Sequence, residues 1–171
     1  MTQDTLTLYK LIILHMLDRV SFPLTQAQLS GFMLEKEYTN FLTLQQVFSE
    51  LLDTGLVSAN VTHNRTYLSI TKEGAETLHF FNNRISPAIK QDIEQYLKEN
   101  ELSLRNEFSI QADYYRASSG EYEAHLVAYE KKIKLMDITL SVPTQDTAAT
   151  ICDNWQKKNQ EIYQYLISQL F

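Results

Sequence analysis

Between residues 5 and 18 almost every second position or better is apolar: Leu6, Leu8, Tyr9, Leu11, Ile12, Ile13, Leu14, Met16 and Leu17. The stretch reads as a helix with no polar face, and such a helix must be covered on several sides. The cover comes either from the rest of the chain or from a second subunit. Two helix starts follow. Thr25 with Gln28 makes a capping box, with Leu24 and Leu29 as its hydrophobic staple. Thr43 with Gln46 repeats the box, with Leu42 and Val47 as the staple. Short helices are therefore predicted to begin near Gln26 and Leu44. The second packs through Val47, Phe48, Leu51 and Leu52 and ends at Gly55, which suits the left-handed position after a helix.

Beyond Gly55 the period shortens to that of a strand. Leu56-Val57 and Tyr67-Leu68-Ser69-Ile70 flank a polar tip, Thr62-His63-Asn64-Arg65, and Thr71-Lys72-Glu73-Gly74 opens another helix with Leu78 and Phe81 on its inner face. The order helix, helix, helix, hairpin, helix is that of a winged helix-turn-helix.

The second half starts at Ser86-Pro87, with proline at the first helical position, where its missing amide costs nothing. Ile89, Ile93, Tyr96, Leu97, Leu104 and Phe108 keep a helical period, with an interruption expected near Asn100. Strand alternation then runs through Ile110, Ala112 and Tyr114, through Tyr122, Ala124, Leu126 and Ala128, and through Met136, Ile138, Leu140 and Val142. Ser118-Ser119-Gly120 and Glu130-Lys131-Lys132 separate them, which predicts an antiparallel meander. A last helix from about Thr147 to Leu170 carries Ala148, Ile151, Trp155, Ile162, Leu166 and Leu170 on one stripe. The expected fold class is α+β. A winged helix-turn-helix over residues 1–83 precedes a helix, a three-stranded antiparallel sheet and a C-terminal helix over residues 84–171, a domain for dimerisation or effector binding.

The segments TLQQVFSELLDTGLV (43–57) and LSITKEGAETL (68–78) resemble the recognition helix, wing and following helix of winged-helix transcription regulators. Tyr38-Thr39-Asn40, Ala112-Asp113-Tyr114-Tyr115 and the tryptophan-bearing last helix resemble a bacterial family known as domain of unknown function 4364, over nearly the whole chain. The resemblance implies a winged-helix N-terminal domain and a cytoplasmic protein, and it implies no reaction or ligand.

Charge sharpens the question of DNA. The net charge is -6; the first 82 residues hold five Lys/Arg against eight Asp/Glu and the remainder ten against thirteen, so neither half is basic. A strongly cationic DNA-coating protein is excluded. On the helix expected to enter a major groove, Thr43, Gln45, Gln46 and Ser49 are the candidate contacts, since glutamine pairs bidentately with adenine. Glu50 and Asp53 on the same helix oppose a phosphate surface, and the helix has no lysine or arginine. His63, Asn64 and Arg65 at the wing tip and Lys72 just beyond it are the remaining candidates, a small set given how far affinity rests on phosphate neutralisation. Two copies would double them, as for other helix-turn-helix proteins. The leading expectation is a homodimeric DNA-binding transcription regulator. The alternative is an adaptor whose winged helix binds protein instead.

Tyr114, Tyr115, Tyr122 and Tyr129 are candidates for an effector pocket, although tyrosine is common in half-buried sheets. Four scattered histidines and one cysteine offer no metal-ligand spacing, and four glycines make no phosphate-cradling loop. No metal, cofactor or catalytic activity is expected. A lone cysteine, a start without a basic signal sequence and an apolar run ending at Asp18 point to a soluble cytoplasmic protein.

Overall fold

Thr2 caps the first helix, α1 (Gln3–Asp18), by accepting a hydrogen bond from the Thr5 amide. In the computed structural model, which describes residues 2–62 and 65–171, six α-helices and two three-stranded antiparallel sheets make an α+β protein. The chain divides into two compact units, Met1–Leu104 and Arg105–Phe171. The division falls inside the fifth helix, whereas the boundary expected from sequence stands just ahead of it at 83/84.

In the first unit, α1 is followed by a two-residue strand β1 (Leu24–Thr25), helices α2 (Gln26–Glu35) and α3 (Phe41–Asp53), strands β2 (Val57–Val61) and β3 (Thr66–Ile70), helix α4 (Lys72–Phe81) and a 3-10 turn over Asn82–Arg84. The sheet order is β1-β3-β2, so β3 lies between the other two. Residues 11–17 of α1 are all buried, against α3, α4 and β3. The helix without a polar face is thus covered within its own unit, and it gives no reason to invoke a second subunit.

The Thr25 capping box forms as its sequence predicts. Thr25 accepts from the Gln28 amide, and the Gln28 side chain accepts from the Thr25 amide. The second box does not form. α3 starts at Phe41, three residues earlier than expected, because Asn40 takes the cap and its Oδ1 accepts from the Thr43 amide at 3.0 Å. Asparagine is as good a cap as threonine, and the earlier start turns Thr43 and Leu44 inward into the core. The supposed staple fails with it, since Leu42 is 80% exposed. Both α2 and α3 end in the same way, with a residue at positive φ: Glu37 (56°) and Gly55 (71°). The amides of Tyr38 and Leu56 then bond back to the carbonyls of Met33 and Leu51, which satisfies helix-end acceptors.

Helix α5 (Pro87–Ser109) is continuous. The interruption expected at Asn100 is absent because its side-chain amide bonds back to the Tyr96 carbonyl at 2.8 Å, within the helix. The part belonging to the first unit is tied down by Tyr38, whose hydroxyl donates to Asp92 Oδ2 at 2.6 Å, and by Arg19, which bonds Glu94 at 2.6 Å. Tyr9 donates in turn to the Tyr38 carbonyl at 2.7 Å.

In the second unit β4 (Ile110–Arg116), β5 (Tyr122–Glu130) and β6 (Ile133–Val142) form the meander, with a bulge at Ala128/Tyr129, and α6 (Gln145–Leu170) covers one face. Ala124, Leu126, Ala128, Met136, Cys152 and Trp155 are its core. The Trp155 indole also finds a partner, donating to the Val127 carbonyl at 3.2 Å. Ala148, Ile151, Ile162 and Leu166 follow the predicted stripe, but Leu170 is 82% exposed, because the helix outruns the sheet that covers it.

Candidate nucleic-acid interface

Helix α3 is amphipathic in the ordinary way. Leu44, Val47, Phe48 and Leu51 are buried, and the opposite side carries Gln45, Gln46, Ser49 and Asp53, all exposed. Of the residues expected to contact DNA, Thr43 is the exception: it is buried, and it lies on the core side of α3 rather than with the others. The polar side chains of the outer face are joined to one another. Gln46 Nε2 donates to Glu50 Oε1 at 2.9 Å, Ser49 Oγ donates to Asp53 at 3.5 Å, and Gln26 Nε2 donates to Gln45 Oε1 at 3.4 Å.

Glu50 is not the free acid that the sequence suggests. Lys10 reaches it from α1 and forms an ion pair with Oε2. The Lys10 bond first, and the Gln46 bond second, hold the Glu50 carboxyl below the usual carboxylate range. Lys10 is the residue that sequence reasoning missed. It is the one lysine or arginine of an otherwise largely apolar helix, but nothing in linear spacing connects positions 10 and 50. Its effect is to cancel one of the two acidic charges on this face.

The hairpin beside α3 closes through the backbone of Arg65, whose carbonyl accepts from the Thr62 amide at 2.8 Å. Arg65 is half-buried, and its Nη1 donates to the Tyr67 hydroxyl at 3.5 Å. Lys72 is exposed at the first position of α4. His63 and Asn64, the other two tip candidates, lie outside the described residues. Elsewhere in this unit, Arg19, Lys36 and Arg84 are paired with Glu94, Asp92 and Asp4. Of the lysine and arginine side chains expected to meet phosphate, Arg65 and Lys72 both lie within the described residues, and Arg65 already has a hydrogen-bond partner in Tyr67.

The four tyrosines of the second unit do not converge. Tyr114 packs on the core side of the sheet, under α6, and alternation puts Tyr122 on that side as well. Tyr115 faces the other way and hydrogen-bonds Glu123, which together with burial raises its hydroxyl above the ordinary value. Tyr129 stacks on Phe108 with ring centroids 4.6 Å apart. A shared pocket would need all four on one face, and strand alternation divides them. Cys152 is buried, and burial pushes its thiol up.

Among the described residues no group of three or more His, Cys, Asp or Glu side chains could hold a metal ion, and no helix is long and apolar enough to cross a membrane. A family model described as "Domain of unknown function (DUF4364)" matches residues 9–170. No curated protein and no solved structure matches the chain.

Proposed function

We propose that this chain, which belongs to the DUF4364 family, is a DNA-binding transcription regulator of bacterial type whose first unit is a winged helix-turn-helix. The observation that carries this reading is the sheet order β1-β3-β2, in which a short strand between α1 and α2 joins the hairpin while α3 presents a polar stripe outward. In such a fold α3 is the groove-reading helix and the hairpin is the wing. Gln45, Gln46 and Ser49 face the base edges, and Arg65 and Lys72 meet phosphates. Because the cations are few, the reading takes the regulator to be a homodimer, two copies doubling the phosphate contacts. Neutralisation of Glu50 by Lys10 supports it, since the strongest electrostatic objection on α3 is halved.

The test is selection of genomic DNA fragments by the purified protein at low and near-physiological salt, followed by sequencing. A palindromic motif that survives the higher salt is the expected result. Recovery of no fragment at either salt refutes the reading.

One observation favours a second reading, an adaptor that binds protein and does not bind DNA. Phe41 and Leu42 open α3 at 59% and 80% exposure, an apolar start unlike the polar side chains that read base edges. This alternative predicts no duplex binding, together with a reproducible protein partner whose retention falls on Leu42→Glu.

A further inference from the structure

We infer that Glu50, held by Lys10, is a positioning residue that orients the Gln46 amide so that Gln46 reads an adenine in the major groove. The inference rests on the DNA-binding reading and adds a base preference to it.

An exposed glutamine has several freely turning bonds, and fixing them on binding costs conformational entropy. Gln46 is already held. Its Nε2 donates to Glu50 Oε1 at 2.9 Å across one helical turn. Glu50 is held in turn, because its other oxygen is paired with Lys10. Lys10 belongs to α1, a helix buried from residue 11 to residue 17, so the chain of contacts ends on a helix anchored in the core of the unit. With one amide hydrogen on Glu50, Gln46 keeps its carbonyl oxygen and its second amide hydrogen for a ligand. That acceptor and donor match the N6 hydrogen and N7 of adenine. Gln45 differs, since its carbonyl already accepts from Gln26. Base discrimination is therefore assigned to Gln46. The same contacts account for an acidic residue on a groove-facing helix: Glu50 is there to hold an amide, and Lys10 cancels its charge.

The test uses the full chain and a duplex recovered by genomic selection, together with versions of it in which each A·T pair is changed singly to G·C. Fluorescence anisotropy gives the affinity for each. Wild type is expected to discriminate roughly tenfold or more at one A·T pair. Gln46→Ala abolishes that discrimination, Glu50→Ala and Lys10→Met reduce it severalfold at the same pair, and Lys10→Arg retains it. If Glu50→Ala instead raises affinity for every duplex alike and leaves discrimination intact, Glu50 acts by charge alone and the inference is overturned. NMR of the free protein separates this failure from failure of the DNA reading. Lys10→Met is expected to shift the Gln46 side-chain amide resonances, and unshifted resonances overturn the positioning chain whether or not DNA binds. Wild type that retains no duplex overturns the DNA reading and, with it, the assignment of Gln46.

Discussion

Replacing Gly74 with alanine should destabilise the first unit even though alanine is the better helix former. Gly74 lies in the first turn of α4, and a Cβ built there would stand 2.0 Å from the Leu56 carbonyl oxygen and 2.9 Å from Ile70 Cγ1. The Leu56 carbonyl cannot step aside without loss, because it accepts from the Thr71 amide at 3.1 Å and from the Thr71 hydroxyl at 3.0 Å. Overpacking of this kind costs about 1–3 kcal/mol, and weakening two hydrogen bonds adds about 1–2 kcal/mol. Helix propensity returns about 1 kcal/mol. The net is a loss of about 2 kcal/mol, or a fall in Tm on the order of 10 °C for a unit of this size. Gly31→Ala is the control. Gly31 lies within α2, with nothing within 4 Å of its would-be Cβ, so the same substitution should stabilise by about 0.5–1 kcal/mol. Urea and thermal unfolding followed by far-UV circular dichroism measure both. If Gly74→Ala proves as stabilising as Gly31→Ala, the close approach of α4 to the start of β2 is wrong, and with it the packing that sets the base of the proposed wing.

Three further outcomes follow from individual contacts. Asn40→Ala should cost about 1 kcal/mol in urea unfolding and speed hydrogen exchange at the Thr43 amide; an unchanged exchange rate would mean that Asn40 is not the cap. His15 is buried, its Nε2 has no hydrogen-bond partner among the described residues, and its pKa is lowered by burial first and by Arg19 and Lys90 second, against Glu94 and Asp18. Because the folded state binds its proton less readily than the unfolded state, His15 contributes stability above the ordinary value of 6.5 that is lost as pH falls below it. His15→Leu should flatten the fall of stability as pH drops below about 6.5, and an unaltered slope there would refute the lowered pKa of His15. Glu37, a non-glycine residue at φ 56°, should gain from Glu37→Gly by a few tenths to about 1 kcal/mol, and a net loss would show that its side chain outweighs the backbone strain.

Much of this architecture is legible along the chain because its signals are local. Thr25 and Gln28, Gly55, Thr71 and Pro87 mark their boundaries through groups within four residues, and alternation along 110–142 reports strands whose two faces meet different surroundings. The misreadings came where two local signals compete. Asn40 and Thr43 both offer a cap, and only burial of Thr43 and Leu44 against the core decides between them. The two-residue strand β1 has no periodicity to detect, and it exists because β3 supplies its hydrogen-bond partners.

The candidate interface divides in the same way. Its polar stripe, Gln45, Gln46 and Ser49, follows from helical spacing alone. Its charge does not. Position 10 pairs with position 50 because α1 is packed against α3, and no rule of spacing reaches across forty residues. The tyrosines of the second unit likewise look like a cluster in a list and separate once alternate positions are assigned to opposite faces of β4 and β5. Most of the run of helices and strands, and the outward stripe of α3 at Gln45, Gln46 and Ser49, can be read along the chain, because covalent geometry and short-range hydrogen bonding set those periods. Which outward charges find a counter-charge, and which groups come together, depends on the packing of the elements, because electrostatics and packing act through distance in space and not along the chain.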